Sequence, residues 1–308
     1  MRAGYVSIIG RPNAGKSTLL NALVGEKIAI VTHKPQTTRN RILGIMNLRA
    51  RKGVPAAQIV LVDTPGVHKP DSQLNRRMMQ EVYDALASRD LTLLIVDATM
   101  KFGTGDQFTL DAVKRAGGPV FLLLNKVDMI HKEKLLPMIA EWSQRHGFRE
   151  IIPISAKKKE GLEVLVGKIA NALPNGQPFF PQDQITDQPE RFIAAEIVRE
   201  KVLMHTAEEV PYAAAVRIEQ WEVKEKITRI AAVIYIEREG QKKIIVGKGG
   251  EMIKKIGTTA RIDIEKLLGR KVFLELFVKV QPDWRQSRGF VEELDWRRQL
   301  EDLTPIDE

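Results

Sequence analysis

The sequence predicts an α/β domain, built on a mostly parallel sheet with helices on both faces, followed by a smaller α+β domain. Three observations carry this. From Tyr5 to about Ala172, short runs rich in Val, Ile and Leu alternate with longer amphipathic stretches, the pattern of strands joined by crossover helices. Leu173–Pro189 then holds Pro174, Pro178, Pro181 and Pro189 with no periodicity, and reads as a linker. Beyond it the order changes to a helix near Glu190–His205, two strands, a glycine-rich turn, a helix and a strand. The predicted organisation is therefore a first domain over 1–172, a linker over 173–189, a second domain over 190–285 and a C-terminal tail over 286–308. Strands of the first domain are expected at Val6–Ile9, Arg41–Leu48, Ile59–Val62, Leu91–Val96, Val120–Leu124 and Ile151–Ile154.

Composition narrows the function classes. The 308 residues are 28% charged and 44% hydrophobic, as expected of a soluble globular protein. The chain has no cysteine, which excludes disulfides and thiolate-bound metals and fits a reducing compartment. The longest apolar stretches, Leu91–Val96 and Val120–Leu124, are far too short to span a bilayer. The N-terminus reads straight into a strand, so no secretory signal is expected and a cytoplasmic location is. The net charge of +9 is uneven. Residues 1–175 carry 26 basic and 15 acidic side chains, and the remainder 22 and 24. Within the second part, Gly240–Phe290 holds 12 basic and 5 acidic residues, a local +7.

The strongest chemical motif is Gly10-Arg11-Pro12-Asn13-Ala14-Gly15-Lys16-Ser17, directly after the first strand and opening a helix that continues through Thr18. Its glycines let backbone N–H groups turn inward around phosphate oxygens. Lys16 reaches the β- and γ-phosphates, Ser17 offers a hydroxyl to Mg²⁺, and the helix N-terminus adds partial positive charge. Asp63-Thr64-Pro65-Gly66 follows the strand Ile59–Val62. A carboxylate there can hold Mg²⁺ through water, and the Gly66 N–H can face the γ-phosphate.

The base is set by Asn125-Lys126-Val127-Asp128, at the end of a strand where α/β sheets bind ligands. The Asp128 carboxylate accepts hydrogen bonds from guanine N1–H and the 2-amino group. Adenine offers neither, and sites of this kind discriminate by roughly 10⁴-fold or more. Ser155-Ala156, after Ile151–Ile154, would complete the pocket with a backbone N–H towards guanine O6. Four such elements at successive strand ends imply GTP and GDP as ligands.

These motifs resemble those of translation-factor-class P-loop GTPases. Lys34-Pro35-Gln36-Thr37-Thr38-Arg39-Asn40-Arg41, Val62–Pro70 and the later part of the chain resemble the Era family of bacterial ribosome-assembly GTPases, from about Gly4 to about Arg285. The resemblance implies that Thr38, with Thr37 as the alternative, presents its hydroxyl to Mg²⁺ and the γ-phosphate, beside Ser17 and Asp63. It also implies a catalytic set of Lys16, Thr38, Gly66 and Asn13. Ras-like enzymes place a water-orienting glutamine just after the switch glycine; here that residue is Val67, so slow intrinsic hydrolysis is expected. Asn13 is similar to the asparagine with which some relatives bind a catalytic K⁺, or it merely stabilises the loop. His33 and His68 flank the switches and read as solvated loop residues.

The second domain has its own signature at Ile244-Ile245-Val246-Gly247-Lys248-Gly249-Gly250. Apolar residues follow at Ile253, Ile256, Ala260, Ile264 and Leu267, along one helical face. Lys254 and Arg261 share another face near Lys248. The α-β-β-α-α-β order around Gly-x-x-Gly resembles a type II KH domain, whose glycines let the backbone clamp about four nucleotides of single-stranded RNA. Expected RNA contacts are Gly247, Lys248, Gly249, Gly250, Lys254 and Arg261. Trp221 and Trp284 are expected to pack rather than stack on bases. The Era resemblance implies that the RNA lies near the 3′ end of small-subunit ribosomal RNA, in 30S subunit assembly. The switches around Thr38 and Asp63–Pro70 would then alter RNA engagement through the linker. The rival is a signalling GTPase whose basic helix 250–268 binds protein, or anionic lipid as a peripheral contact on the inner face of the cell membrane. Residues Phe290–Glu308 read as a solvated helix and tail.

Overall fold

In the computed structural model the described residues are 1–34, 36–67, 71–206 and 210–301, without the side chains of 299–301. They fall into two compact units that divide at residues 187 and 188, with the short stretches 32–34 and 71–77 grouped with the second. His68 lies outside the described residues, as do Pro35, Lys69 and Pro70 of the motifs above.

The first unit runs β1 (Arg2–Gly10), α1 (Lys16–Val24), β2 (Ile42–Leu48), β3 (Ala57–Asp63), α2 (Gln73–Ala87), β4 (Leu91–Asp97), α3 (Thr104–Ala116), β5 (Val120–Asn125), α4 (Leu135–Ser143), β6 (Glu150–Pro153) and α5 (Leu162–Ala172). Every strand expected from the sequence forms. The six-stranded sheet has the order β2-β3-β1-β4-β5-β6, parallel except for β2, which pairs antiparallel to β3. Because β1, β4 and β5 are covered on both sides, they read as mostly apolar runs, broken only by the buried Ser7 and Thr92 within their spans Val6–Ile9, Leu91–Val96 and Val120–Leu124. Alternate residues serve opposite faces. Val6, Ile8, Leu93, Ile95, Phe121 and Leu123 share a core with α1 and α5. Ile9, Leu94, Val96, Leu122 and Leu124 pack with residues of α2, α3 and Trp142 of α4. All the motifs expected to bind phosphate and base consequently emerge at the C-terminal ends of parallel strands.

The segment expected to be a linker is not a loose tether. Arg2 donates to the Leu173 carbonyl at 2.9 Å. The buried Gln58 amide accepts from the N–H groups of Phe179 and Phe180 (2.6 and 3.0 Å) and donates to the Phe180 carbonyl (2.8 Å). Asn47 donates to the Gln182 carbonyl (3.0 Å), Ile45 N–H to Ile185 (2.8 Å), and the Thr186 hydroxyl to Leu43 (2.7 Å). Residues 173–186 thus run as a strap along the start of β1 and the outer edge of β2. Proline content removed periodicity but not the hydrogen-bonding capacity of the intervening residues.

The second unit runs α6 (Glu190–His205), α7 (Val210–Ala213), β7 (Ala215–Val223), β8 (Ile227–Ile236), α8 (Glu239–Val246), α9 (Glu251–Leu268), β9 (Lys271–Val280), α10 (Arg288–Glu293) and α11 (Trp296–Glu301). Its sheet has the order β7-β8-β9, with β7 antiparallel and β9 parallel to β8. Ile256, Ala260 and Ile264 of α9 share a core with Ile193, Ile197 and Val198 of α6 and with Ile230, Ala232 and Ile234 of β8. Trp284 is fully buried and its indole N–H donates to the Ala213 carbonyl at 2.7 Å; it is a core residue. The expectation of a merely solvated C-terminal segment needs correction. Phe290 packs on Trp284 and Tyr235, with ring centroids 5.9 and 5.0 Å away, and Val291 is buried. Residues 302–308 lie outside the described residues.

Among the described residues no helix is long and apolar enough to cross a membrane.

Candidate nucleotide site and glycine-rich turn

The loop between β1 and α1 places Lys16 at the start of a helix with its ammonium turned back along the loop. Nζ donates to the carbonyls of Gly10 (3.2 Å) and Arg11 (3.1 Å). Lys16 is almost fully buried, and burial pushes its pKa down to about 8, opposed by the charge of Asp63. Asp63, at the end of β3, is fully buried. Its Oδ2 accepts from the Ser17 hydroxyl at 2.6 Å and the Thr38 hydroxyl at 3.3 Å, and the two hydroxyls lie 2.8 Å apart. Thr38, rather than Thr37, is thus the threonine brought to Ser17 and Asp63. The carboxylate pKa rises to about 6 because burial outweighs Lys16 and the hydroxyl donors. The second oxygen, Oδ1, has no hydrogen-bond partner. A buried carboxylate oxygen costs free energy when unsatisfied, and this carboxylate together with the Ser17 and Thr38 hydroxyls on its other oxygen makes an oxygen set that fits a hard divalent cation.

Switch residue Gly66 lies directly against the phosphate loop. A Cβ there would stand 2.7 Å from Pro12 Cγ and 2.8 Å from Pro12 N, so only glycine permits this approach. Thr64 is turned away: its hydroxyl donates to the Ile8 carbonyl at 2.9 Å. Pro65 is buried beside it. Asn13 adopts a left-handed conformation (φ 63°) at the exposed tip of the loop. Thr18 continues α1 half-buried, and His33 is exposed.

On the base side, Asn125 is a brace. Its Nδ2 donates to the Ala14 carbonyl at 2.8 Å and its Oδ1 accepts from the Ala156 N–H at 3.0 Å. Three motifs distant in sequence are joined by one amide. Ser155 N–H donates to the Glu160 carbonyl at 3.1 Å. The N–H groups of Ser155 and Ala156, from which one donor to guanine O6 is expected, thus both have protein acceptors, and the Ala156 N–H would have to be shared with Asn125. Asp128 is exposed in the turn that follows β5. One residue here escaped the sequence reading. Asp97, at the end of β4, holds the Lys126 ammonium at 2.5 Å and so fixes the long side chain of the motif expected to bind the base. The motif Asn-Lys-x-Asp names Lys126 but not its counter-ion, which comes from the neighbouring strand.

In the second unit, α8 ends at Val246 and α9 begins at Glu251, so Gly247–Gly250 forms the turn. Gly247 has φ 73°, and a Cβ there would stand 2.7 Å from Met252 Cβ. Gly250, at φ 83°, faces open space. Lys248 and Lys254 are exposed near the turn, whereas Arg261 is partly engaged by Glu265 at 3.1 Å. The turn thus offers backbone and ammonium groups to solvent while the helical stripe behind it is committed to the core.

Residues 5–126 match the family described as 50S ribosome-binding GTPase, and residues 209–285 match the KH domain. The GTPase Era of Geobacter metallireducens is 52% identical over 96% of this chain and 98% of its own length. That of Syntrophus aciditrophicus is 46% identical over 96% and 95%. The chain belongs to the Era GTPase family. Solved Era structures agree. A variant of Aquifex aeolicus Era bound to GDP·AlF4⁻ superposes with a TM-score of 0.90 at 42% identity, covering 95% of this chain and 98% of that one. Era in complex with MgGDPNP and nucleotides 1506–1542 of 16S ribosomal RNA matches equally well. The fold is therefore that of an Era protein: a P-loop GTPase domain followed by a KH domain.

Proposed function

We propose that this chain is a cytoplasmic GTP-hydrolysing switch whose KH domain binds small-subunit ribosomal RNA near its 3′ end, acting in 30S subunit assembly. The observation that carries the switch is the convergence of Ser17 and Thr38 on Asp63, because Thr38 comes from the loop that must rearrange when the γ-phosphate leaves. Ser17, Thr38 and Asp63 would hold Mg²⁺, which when bound neutralises charge developing on the phosphate oxygens. Lys16 would stabilise the same charge, and the Gly66 N–H would donate to the γ-phosphate. A water attacks in line with the bond to the leaving GDP. Asn13, at the loop tip, would help hold K⁺ as a second cation.

The RNA reading rests on the Gly247–Gly250 turn, the local +7 and the Era relative solved with 16S ribosomal RNA. Peripheral membrane contact through α9 is disfavoured, since Ile256, Ala260 and Ile264 are fully buried in the domain's own core. The test has two arms. Labelled RNA with the 3′-terminal small-subunit sequence should bind more tightly than a scrambled RNA of equal length. GTP should outcompete ATP, and Asp128→Asn should shift preference towards XTP, whose 2-oxo group an amide can donate to. Equal binding of both RNAs, or equal competition by ATP, overturns the corresponding half.

A further inference from the structure

We propose that Asp106 is a positioning residue for GTP hydrolysis: through Arg11 it holds the outer half of the phosphate loop against Gly66. The inference rests on the GTPase reading of the site. Arg11 Nη1 lies 2.9 Å from Asp106 Oδ2, on α3, and the carboxylate is nearly buried while the guanidinium is partly exposed. The same Oδ2 accepts the Gly103 N–H at 3.0 Å, so the carboxylate is fixed by its own helix before it receives the arginine. Gly105 completes the seat. A Cβ there would stand 2.7 Å from Arg11 Nε and 3.1 Å from Cζ, so the guanidinium lies on bare helix backbone. Gly105 and Asp106 together form a built receptor for one side chain of the phosphate loop.

What that side chain anchors explains the function. The Arg11 carbonyl accepts from Lys16 Nζ at 3.1 Å and from the Ala14 N–H at 3.3 Å. The next residue, Pro12, has a fixed φ and is the surface against which Gly66 rests. Displacing Arg11 therefore moves both the resting partner of Lys16 and the contact that sets Gly66. The inner half of the loop is held separately, by Asn125 through the Ala14 carbonyl. Binding of the diphosphate draws on that inner half and on the start of α1, where Lys16 keeps the Gly10 carbonyl at 3.2 Å as a second partner, and so depends little on the Asp106 anchor. The anchor acts on the step that needs Gly66 and Lys16 together.

The test uses the full chain and separates catalysis from folding. Asp106→Asn retains an acceptor for the Gly103 N–H but removes the charge that holds Arg11. Gly105→Ala leaves Asp106 untouched, displaces Arg11 and improves helix propensity, so it should not lower Tm. Each variant, and Arg11→Ala, should reduce single-turnover GTP hydrolysis by roughly tenfold while GDP affinity changes less than twofold. Arg11→Ala combined with Asp106→Asn should be no slower than the worse single variant, as for residues acting through one contact. Arg11→Lys, which keeps an ion pair, should recover part of the rate. Wild-type preference for GTP over ATP in the same assay reports on the GTPase reading by itself. Wild-type turnover in Gly105→Ala, multiplicative losses in the double variant, or GDP affinity falling in step with rate would each overturn the anchor.

Discussion

The Val67 N–H donates to the Gly10 carbonyl at 3.1 Å, joining the residue after the switch glycine to the first residue of the phosphate loop. With its backbone so held, the Val67 side chain packs among Ile9, Met79 and Val82, and is almost fully buried. A side chain at this position thus enters the core instead of the phosphate site. Val67→Gln should therefore leave kcat at or below the wild-type value. Burying the amide should cost about 1–3 kcal/mol of stability, seen as a lower Tm. A rate increase towards that of glutamine-bearing GTPases would show that the backbone can turn the side chain out.

Asn13 offers a cleaner probe of the second cation than its alanine variant would. Its φ of 63° costs an alanine about 1–2 kcal/mol, whereas glycine adopts it freely. Asn13→Gly therefore removes the amide without straining the loop. Hydrolysis should be faster in K⁺ than in Na⁺ for the wild type, and equal in both salts for Asn13→Gly. Equal wild-type rates in the two salts would leave Asn13 as a loop-shaping residue.

The Asp97–Lys126 pair should act on binding alone. A charge-assisted hydrogen bond of this kind, partly exposed, holds Lys126 in place by about 1.5 kcal/mol, which bounds the loss of affinity on releasing it at roughly tenfold. Asp97→Asn is expected to weaken GTP and GDP equally, with single-turnover hydrolysis at saturating GTP unchanged. Unequal weakening of the two nucleotides would place Lys126 in contact with the γ-phosphate end of the ligand.

Gly247 cannot test the RNA clamp by itself, because any side chain there meets Met252 and distorts the turn. Gly250 has open space around it, and its left-handed backbone is tolerated by Asn and Asp better than by other residues. Comparing Gly250→Asn with Gly250→Asp isolates the charge. RNA affinity measured by anisotropy should fall modestly in the first and much further in the second, with GTP binding retained in both. Equal affinities in the two would mean that no phosphate approaches the turn.

Strand positions and nucleotide motifs were legible because each depends on local chemistry: apolar runs of strand length, and glycines, Lys16 and Asp63 at fixed places beside them. The helical stripe of α9 was legible for the same reason, through Ile256, Ala260 and Ile264. Asp97 and Asp106 were not, since each acts on a residue supplied by another strand or loop and neither belongs to a repeating pattern. The strap over 173–186 was hidden by its prolines, and its decisive partner, Gln58, looks like a polar interruption in an apolar strand. The packing of Phe290 against Trp284 and Tyr235 likewise needs three elements at once, and no single stretch of sequence announces it.

The strap has a consequence for how the protein keeps to itself. β2 is the terminal strand of the six-stranded sheet, and an uncovered edge of this kind is a template for pairing with another chain. Ile185 takes the Ile45 N–H and Thr186 takes the Leu43 carbonyl, so the template is already occupied by the chain's own residues. A protein clipped or shortened within 179–186 would retain its phosphate loop and base pocket yet expose a hydrogen-bonding ladder. Its characteristic failure would be self-association rather than loss of nucleotide binding.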